Sequence, residues 1–101
     1  MNIDSNYFGF RLACSNGHFE IVKYLWETFK DLKMYKERDY FGFIYGFLKG
    51  RIEIVKYLWE TFKDSEMIKS DNYFGFRSAC SNGHIEILKY LWEIIKDFKI
   101  I

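Results

Sequence analysis

In the stretch EIVKYLWETFKD, Glu20 to Asp31, apolar residues stand at Ile21, Val22, Leu25, Trp26 and Phe29. At about 100° per residue these fall within an arc of roughly 140°, the width of one buried helix face. Glu20, Lys23, Glu27 and Lys30 occupy the other side with alternating sign, at spacings where helical neighbours pair for about 0.2–0.5 kcal/mol each. The pattern predicts an amphipathic helix with a solvated charged stripe. The same residues return unchanged at Glu53 to Asp64 and once more, as EILKYLWEIIKD, at Glu86 to Asp97. YFGF begins at Tyr7, Tyr40 and Tyr73, so the period is 33 residues. A fixed period in this range marks a solenoid, whose units bury their faces only against neighbours. The expectation is one domain over residues 1–101, built from repeats near 7–39, 40–72 and 73–101.

Each repeat reads as two helices. Asn6, Asp39 and Asn72 precede the first, where a side-chain oxygen can accept from an orphan backbone amide. That helix is expected to end near Gly17, Gly50 or Gly83, since glycine most easily takes the left-handed conformation of a C-terminal cap, and the second helix follows at once.

ACSNGHFEIVKYLWE and ACSNGHIEILKYLWE, the cores of repeats one and three, resemble the helical core of ankyrin repeats, whose usual form is A-A-x-x-G-H-x-E-I-V-K-L-L-L, and the period agrees. The resemblance covers nearly the whole chain and implies an all-α solenoid. Where the family has T-P-L-H, this chain has FGFR at Phe8 to Arg11, FGFI at Phe41 to Ile44 and FGFR at Phe74 to Arg77. The G-A-D-x-N that opens the family's β-hairpin finger is replaced by TFKDLKMYKERD and TFKDSEMIKSD. Without glycine or proline to stop it, helix two is expected to run a turn further, leaving the fingers as helical turns or plain loops.

Composition narrows the function classes. Half the residues are apolar, 22% are aromatic, proline is absent, and the formal charge is +1. Lysines and acids are mixed evenly along the chain, so no electrostatic footprint for nucleic acid or an anionic membrane is present. No apolar run has the length that crosses a bilayer. With only two cysteines and a start, MNIDSN, lacking the regions of a secretory signal, a cytoplasmic or other intracellular location is expected.

ACSNGH at Ala13 to His18 and Ala79 to His84 contains both cysteines and both histidines of the chain. A shared zinc ion is ruled out by distance: two helix-packing steps separate the copies by about 16–20 Å, whereas zinc holds ligands at about 2.0–2.3 Å. The middle repeat has Phe47 and Arg51 at these positions. Cys14 and Cys80 read as small core hydrophobes; nothing supplies an orienting acid or oxyanion hole. Trp26, Trp59 and Trp92 repeat within the buried face and read as packing. Gly9, Gly42 and Gly75 lack the partners of a phosphate loop and read as relief of crowding among neighbouring aromatics. No enzyme, cofactor or metal site is expected.

The repeats differ most in helix one of the middle unit, FGFIYGFLKGR against FGFRLACSNGH and FGFRSACSNGH. Phe43, Gly46, Phe47 and Gly50 share the core side by helical spacing, with Phe47 and Gly46 exchanging volume for Ala-Cys. Tyr45, Leu48 and Lys49 share another side, which the ankyrin resemblance places in the concave binding groove. That resemblance implies a protein-binding module acting through this face and the inter-repeat segments Met34 to Arg38 and Glu66 to Asp71, with Tyr35, Arg38 and Met67 as further contacts. The same departures are what a repeat under relaxed selection would show. A structural alternative is self-association, or a remnant of a longer array: the last helix is apolar through Ile94, Ile95, Phe98, Ile100 and Ile101, and Ile94, Phe98 and Ile101 are its candidate contacts.

Overall fold

The computed structural model describes residues 3–99, with side chains from Tyr7 onward, and shows six helices and no strand among them: α1 (Ile3–Asn16), α2 (Phe19–Phe29), α3 (Leu32–Leu48), α4 (Ile52–Phe62), α5 (Ser65–Asn82) and α6 (Ile85–Phe98). α1, α3 and α5 pack side by side in one layer; α2, α4 and α6 form the second, each against the helix before it and against its counterpart in the next repeat.

The turn within each repeat is built on glycine. Gly17, Gly50 and Gly83 have φ of +77°, +74° and +71°, and the amide that follows each donates back to Ala13, Gly46 or Ala79 at 2.9, 2.8 and 3.0 Å. This 6→1 bond with a left-handed residue is the Schellman cap. Close approach fixes the residue type further, because a Cβ on Gly50 would stand 2.9 Å from the His84 ring.

The junctions between repeats differ from the sequence-based expectation. α2 and α4 do not run on; they stop where Lys30 and Lys63 turn left-handed (φ 50° and 46°) and donate to the carbonyls of Trp26 and Trp59. Asp31 and Asp64 then cap the next helix, each accepting the amide N–H two residues on at 3.0 Å. Phe98 extends the third copy instead: α6 continues through the matching position to Phe98, whose ring meets Trp59 edge-on at 5.3 Å.

The finger segments are therefore the first turns of α3 and α5, and a kink separates them from the body of each helix. Arg38, Asp39 and Tyr40 are all left-handed (φ 54°, 56° and 64°), as are Asp71, Asn72 and Tyr73 (φ 50°, 55° and 60°). Asp39 and Asn72 are thus the middle of a left-handed turn, not N-caps. Such a conformation costs about 1–2 kcal/mol per non-glycine residue, so it persists only where neighbours hold it. In repeat three Arg77 does so, donating from its guanidinium to the carbonyls of Asp71 and Asn72 at 2.9 and 3.1 Å.

Burial follows position in the stack. Ile54, Val55, Leu58 and Trp59 of the middle repeat are all buried, whereas at the ends Ile21 and Trp92 are exposed.

Candidate functional site

Two kinds of polar contact set the spacing of the layers. At the inner turn, Arg51 Nε donates to the Ser15 carbonyl at 3.0 Å, and His84 Nε2 lies 3.1 Å from the Leu48 carbonyl one repeat later. Arg51 and His84 each reach back to a helix C-terminal carbonyl that lacks an intrahelical donor. At the outer turn, Asp64 accepts the hydroxyls of Tyr35 and Tyr40 at 3.1 Å each, and Asp31 accepts that of Tyr7 at 2.9 Å. Burial and the Asp64 carboxylate together push the Tyr35 hydroxyl up to about 12.

These contacts leave the outward side of α1, α3 and α5 as a row of clefts. The first is lined by Phe8, Arg11, Leu12, Ser15, Phe41 and Tyr45. Arg11 centres it, its guanidinium 5.2 Å from the Phe8 centroid and 5.4 Å from that of Phe41. Glu37 Oε2 faces Arg11 Nε at 3.5 Å without a hydrogen bond between these buried atoms, and Arg38 Nε donates to the other Glu37 oxygen. Tyr45 stacks obliquely on Phe41 at 4.4 Å. The next cleft is lined by Leu48, Phe74, Arg77, Ser78, Ser81 and Asn82, with Arg77 lying over Phe74.

Of the residues singled out by sequence, Tyr45 and Leu48 are half-buried and each lines one cleft, while Lys49 is exposed at the end of α3. Arg38 is exposed beside Glu37. Tyr35 and Met67 are corrections. Tyr35 is buried, stacked on Phe62 at 3.6 Å, and Met67 is buried, because the fingers fold inward as helical turns and carry their apolar residues into the core. Ile94 is likewise buried in the core, Phe98 is exposed but rests on Trp59, and Ile101 lies outside the described residues. Sequence reasoning missed Phe8, Arg11 and Phe41, whose signal is the recurring FGFR and FGFI that stand where the family has T-P-L-H.

Cys14 is fully buried, which pushes its thiol up, and Cys80 is exposed. Among the described residues no group of three or more potential ligands gathers around a metal position, and no helix is long and apolar enough to cross a membrane.

A solved structure of an ankyrin repeat family protein from Legionella pneumophila superposes on this chain with a TM-score of 0.78 at 30% identity, over 85% of the chain. The chain has a divergent ankyrin-repeat fold. It spans 26% of the length of that protein. No family model matches the chain, and no curated protein does. Where the ankyrin pattern has hairpin fingers, this chain has the tyrosine–aspartate contacts and the left-handed turns. An ankyrin-repeat fold is in general a non-enzymatic interaction scaffold.

Proposed function

We propose that this chain is a non-catalytic protein-binding module that takes a partner along the outward side of α1, α3 and α5. The observation that carries this reading is the aromatic cleft around Arg11, in which Phe8 and Leu12 remain exposed at 55% and 46% beside Phe41 and Tyr45. Interface energy concentrates in a few central aromatic and apolar anchors, and Tyr45 and Leu48 sit at the middle of this row. Exposed Lys49 and Arg77 flank Leu48 and its cleft. The partner segment that fits is one presenting apolar side chains with a nearby carboxylate.

Changing Tyr45, Leu48 and Lys49 to the Ser78, Ser81 and Asn82 types of repeat three tests it. The triple variant Tyr45→Ser, Leu48→Ser, Lys49→Asn keeps the parent's helical circular dichroism and loses the proteins that the parent captures from lysate. Capture of the same proteins by the folded variant rejects the face.

A further inference from the structure

We infer that a second copy of this chain stacks head to tail on the first, its last repeat against the first repeat of its neighbour, through the contacts that already join repeats within the chain. This goes beyond the proposed binding face and is independent of it, since it uses the two ends of the stack.

The ends are open in a specific way. On the leading side, Ile21 is 50% exposed, whereas its counterparts Ile54 and Ile87 are each 1% exposed because a preceding repeat covers them. Tyr24 is 64% exposed; its counterpart Tyr57 packs edge-on against Phe19 of the repeat before, and Tyr90 donates to Glu60 and lies under Lys56. Gly9 completes the set. Added Cβ atoms at Gly42 and Gly75 would stand 2.9 and 2.7 Å from the rings of Phe10 and Phe47 in the preceding repeat, but a Cβ at Gly9 meets nothing within 4 Å among the described residues. Gly9 has the notch and lacks the side chain that fills it.

The trailing side carries the missing halves. Cys80 is exposed where its counterparts Cys14 and Phe47 are buried against the next repeat, and Trp92 is 52% exposed where Trp59 is 2% exposed. Phe76, Cys80, Ser81 and Trp92 repeat Phe10, Cys14, Ser15 and Trp26 residue for residue, so the trailing face of repeat three has the makeup of the face that already docks onto repeat two. Lys89 and Glu93 likewise repeat Lys56 and Glu60, which engage Tyr90. On the receiving side, exposed His18 stands where Arg51 and His84 reach back to a carbonyl. The junction between copies therefore reuses contacts that the chain already makes, except at the end of α6, which runs on to Phe98 where α2 and α4 stop. It is heterologous, with two different patches meeting, so it propagates and does not close into a two-fold dimer.

Cysteine trapping tests the register. At the inner junction Cys14 Sγ lies 3.2 Å from where a Cβ on Gly42 would stand, a separation compatible with a disulfide. In Gly9→Cys, Cys80 of one copy is expected to cross-link to position 9 of the next on mild oxidation, giving a ladder of dimer, trimer and higher species on a non-reducing gel. Glu27→Cys, exposed but off register, gives no ladder, and neither does the parent, whose Cys80 meets glycine and no thiol at position 9 of the next copy. Sedimentation gives the second arm. Tyr24→Glu and Trp92→Glu each stay monomeric at about 100 μM, where weak protein contacts are populated, but their mixture forms a dimer because one intact patch remains on each. Equal ladders from the two cysteine variants, or a mixture that remains monomeric, overturns the proposal.

Discussion

Glycine at one motif position has three different surroundings here. Gly9, Gly42 and Gly75 share the sequence YFGF, yet only the latter two receive a ring from the preceding repeat. Gly42→Ala and Gly75→Ala are expected to destabilise by about 1–3 kcal/mol, the range for overpacking a filled core. Gly75→Ala is the worse of the two, since its Cβ would come within 2.7 Å of Phe47. Gly9→Ala is expected to stabilise by about 0.5–1 kcal/mol through helix propensity alone. Urea midpoints of the three variants check the order. A second residue-scale effect lies in the tyrosines. Burial, then the hydrogen bond and charge of Asp64, raise Tyr35 from 10.0 to about 12, and burial with Asp64 raises Tyr40 further. The folded state holds these protons more tightly than the unfolded chain does, so their contribution is complete below the unfolded value of about 10 and is lost as pH rises from there through the folded values. Unfolding free energy measured against pH should be flat through the neutral range, insofar as tyrosine governs it, and fall above about pH 10, with a shallower fall in Tyr40→Phe.

Helix boundaries depend on aspartates that recur in ETFKD and in the variant EIIKD, but the three copies are put to different uses. Asp64 accepts the Glu66 amide and two tyrosine hydroxyls; Asp31 accepts the Lys33 amide and the Tyr7 hydroxyl; Asp97 lies exposed within α6. A lost N-cap costs about 1 kcal/mol and a hydrogen bond to a charged group about 1.5–3 kcal/mol. Asp64→Ala should therefore cost about 4 kcal/mol or more, Asp31→Ala about 2.5–4 kcal/mol, and Asp97→Ala under about 0.5 kcal/mol. Thermal melts of the three settle the ranking. The tyrosine and aspartate types were visible in the repeat from the start, Tyr40 standing the same distance before Asp64 as Tyr7 before Asp31. Their meeting was not, because it depends on Lys30 and Lys63 turning left-handed, a conformation that local propensity disfavours in lysine and that tertiary packing imposes. The same override hid the kinks at Arg38 to Tyr40 and Asp71 to Tyr73, and with them the inward rotation of Tyr35 and Met67.

Across the whole molecule, period and amphipathic face were enough to predict the two-helix repeat and the solenoid, since both follow from what Ile54, Val55, Leu58 and Trp59 must bury. Which surface stays open was harder to read: identical residues are core in one repeat and surface in another, a property of stacking order and not of local sequence. Tryptophan exposes this most directly. Trp59 is buried between neighbours, Trp26 is half-buried with Phe62 edge-on at 4.7 Å, and Trp92 is 52% exposed. Truncating a buried tryptophan costs about 3–5 kcal/mol, close to the lower end of whole-domain stability. Trp59→Ala is thus expected to leave little folded protein at room temperature, Trp26→Ala to fold with a lowered melting point, and Trp92→Ala to melt within a few degrees of the parent when dilute. Head-to-tail stacking adds a concentration dependence to this series. Association stabilises the folded state by mass action, and it draws on Trp92 in the parent, so the parent's melting temperature should rise with concentration while that of Trp92→Ala stays flat. Calorimetry at two concentrations measures the gap: a gap that widens with concentration makes Trp92 a junction residue without a partner in the isolated chain, and a constant gap makes it ordinary surface.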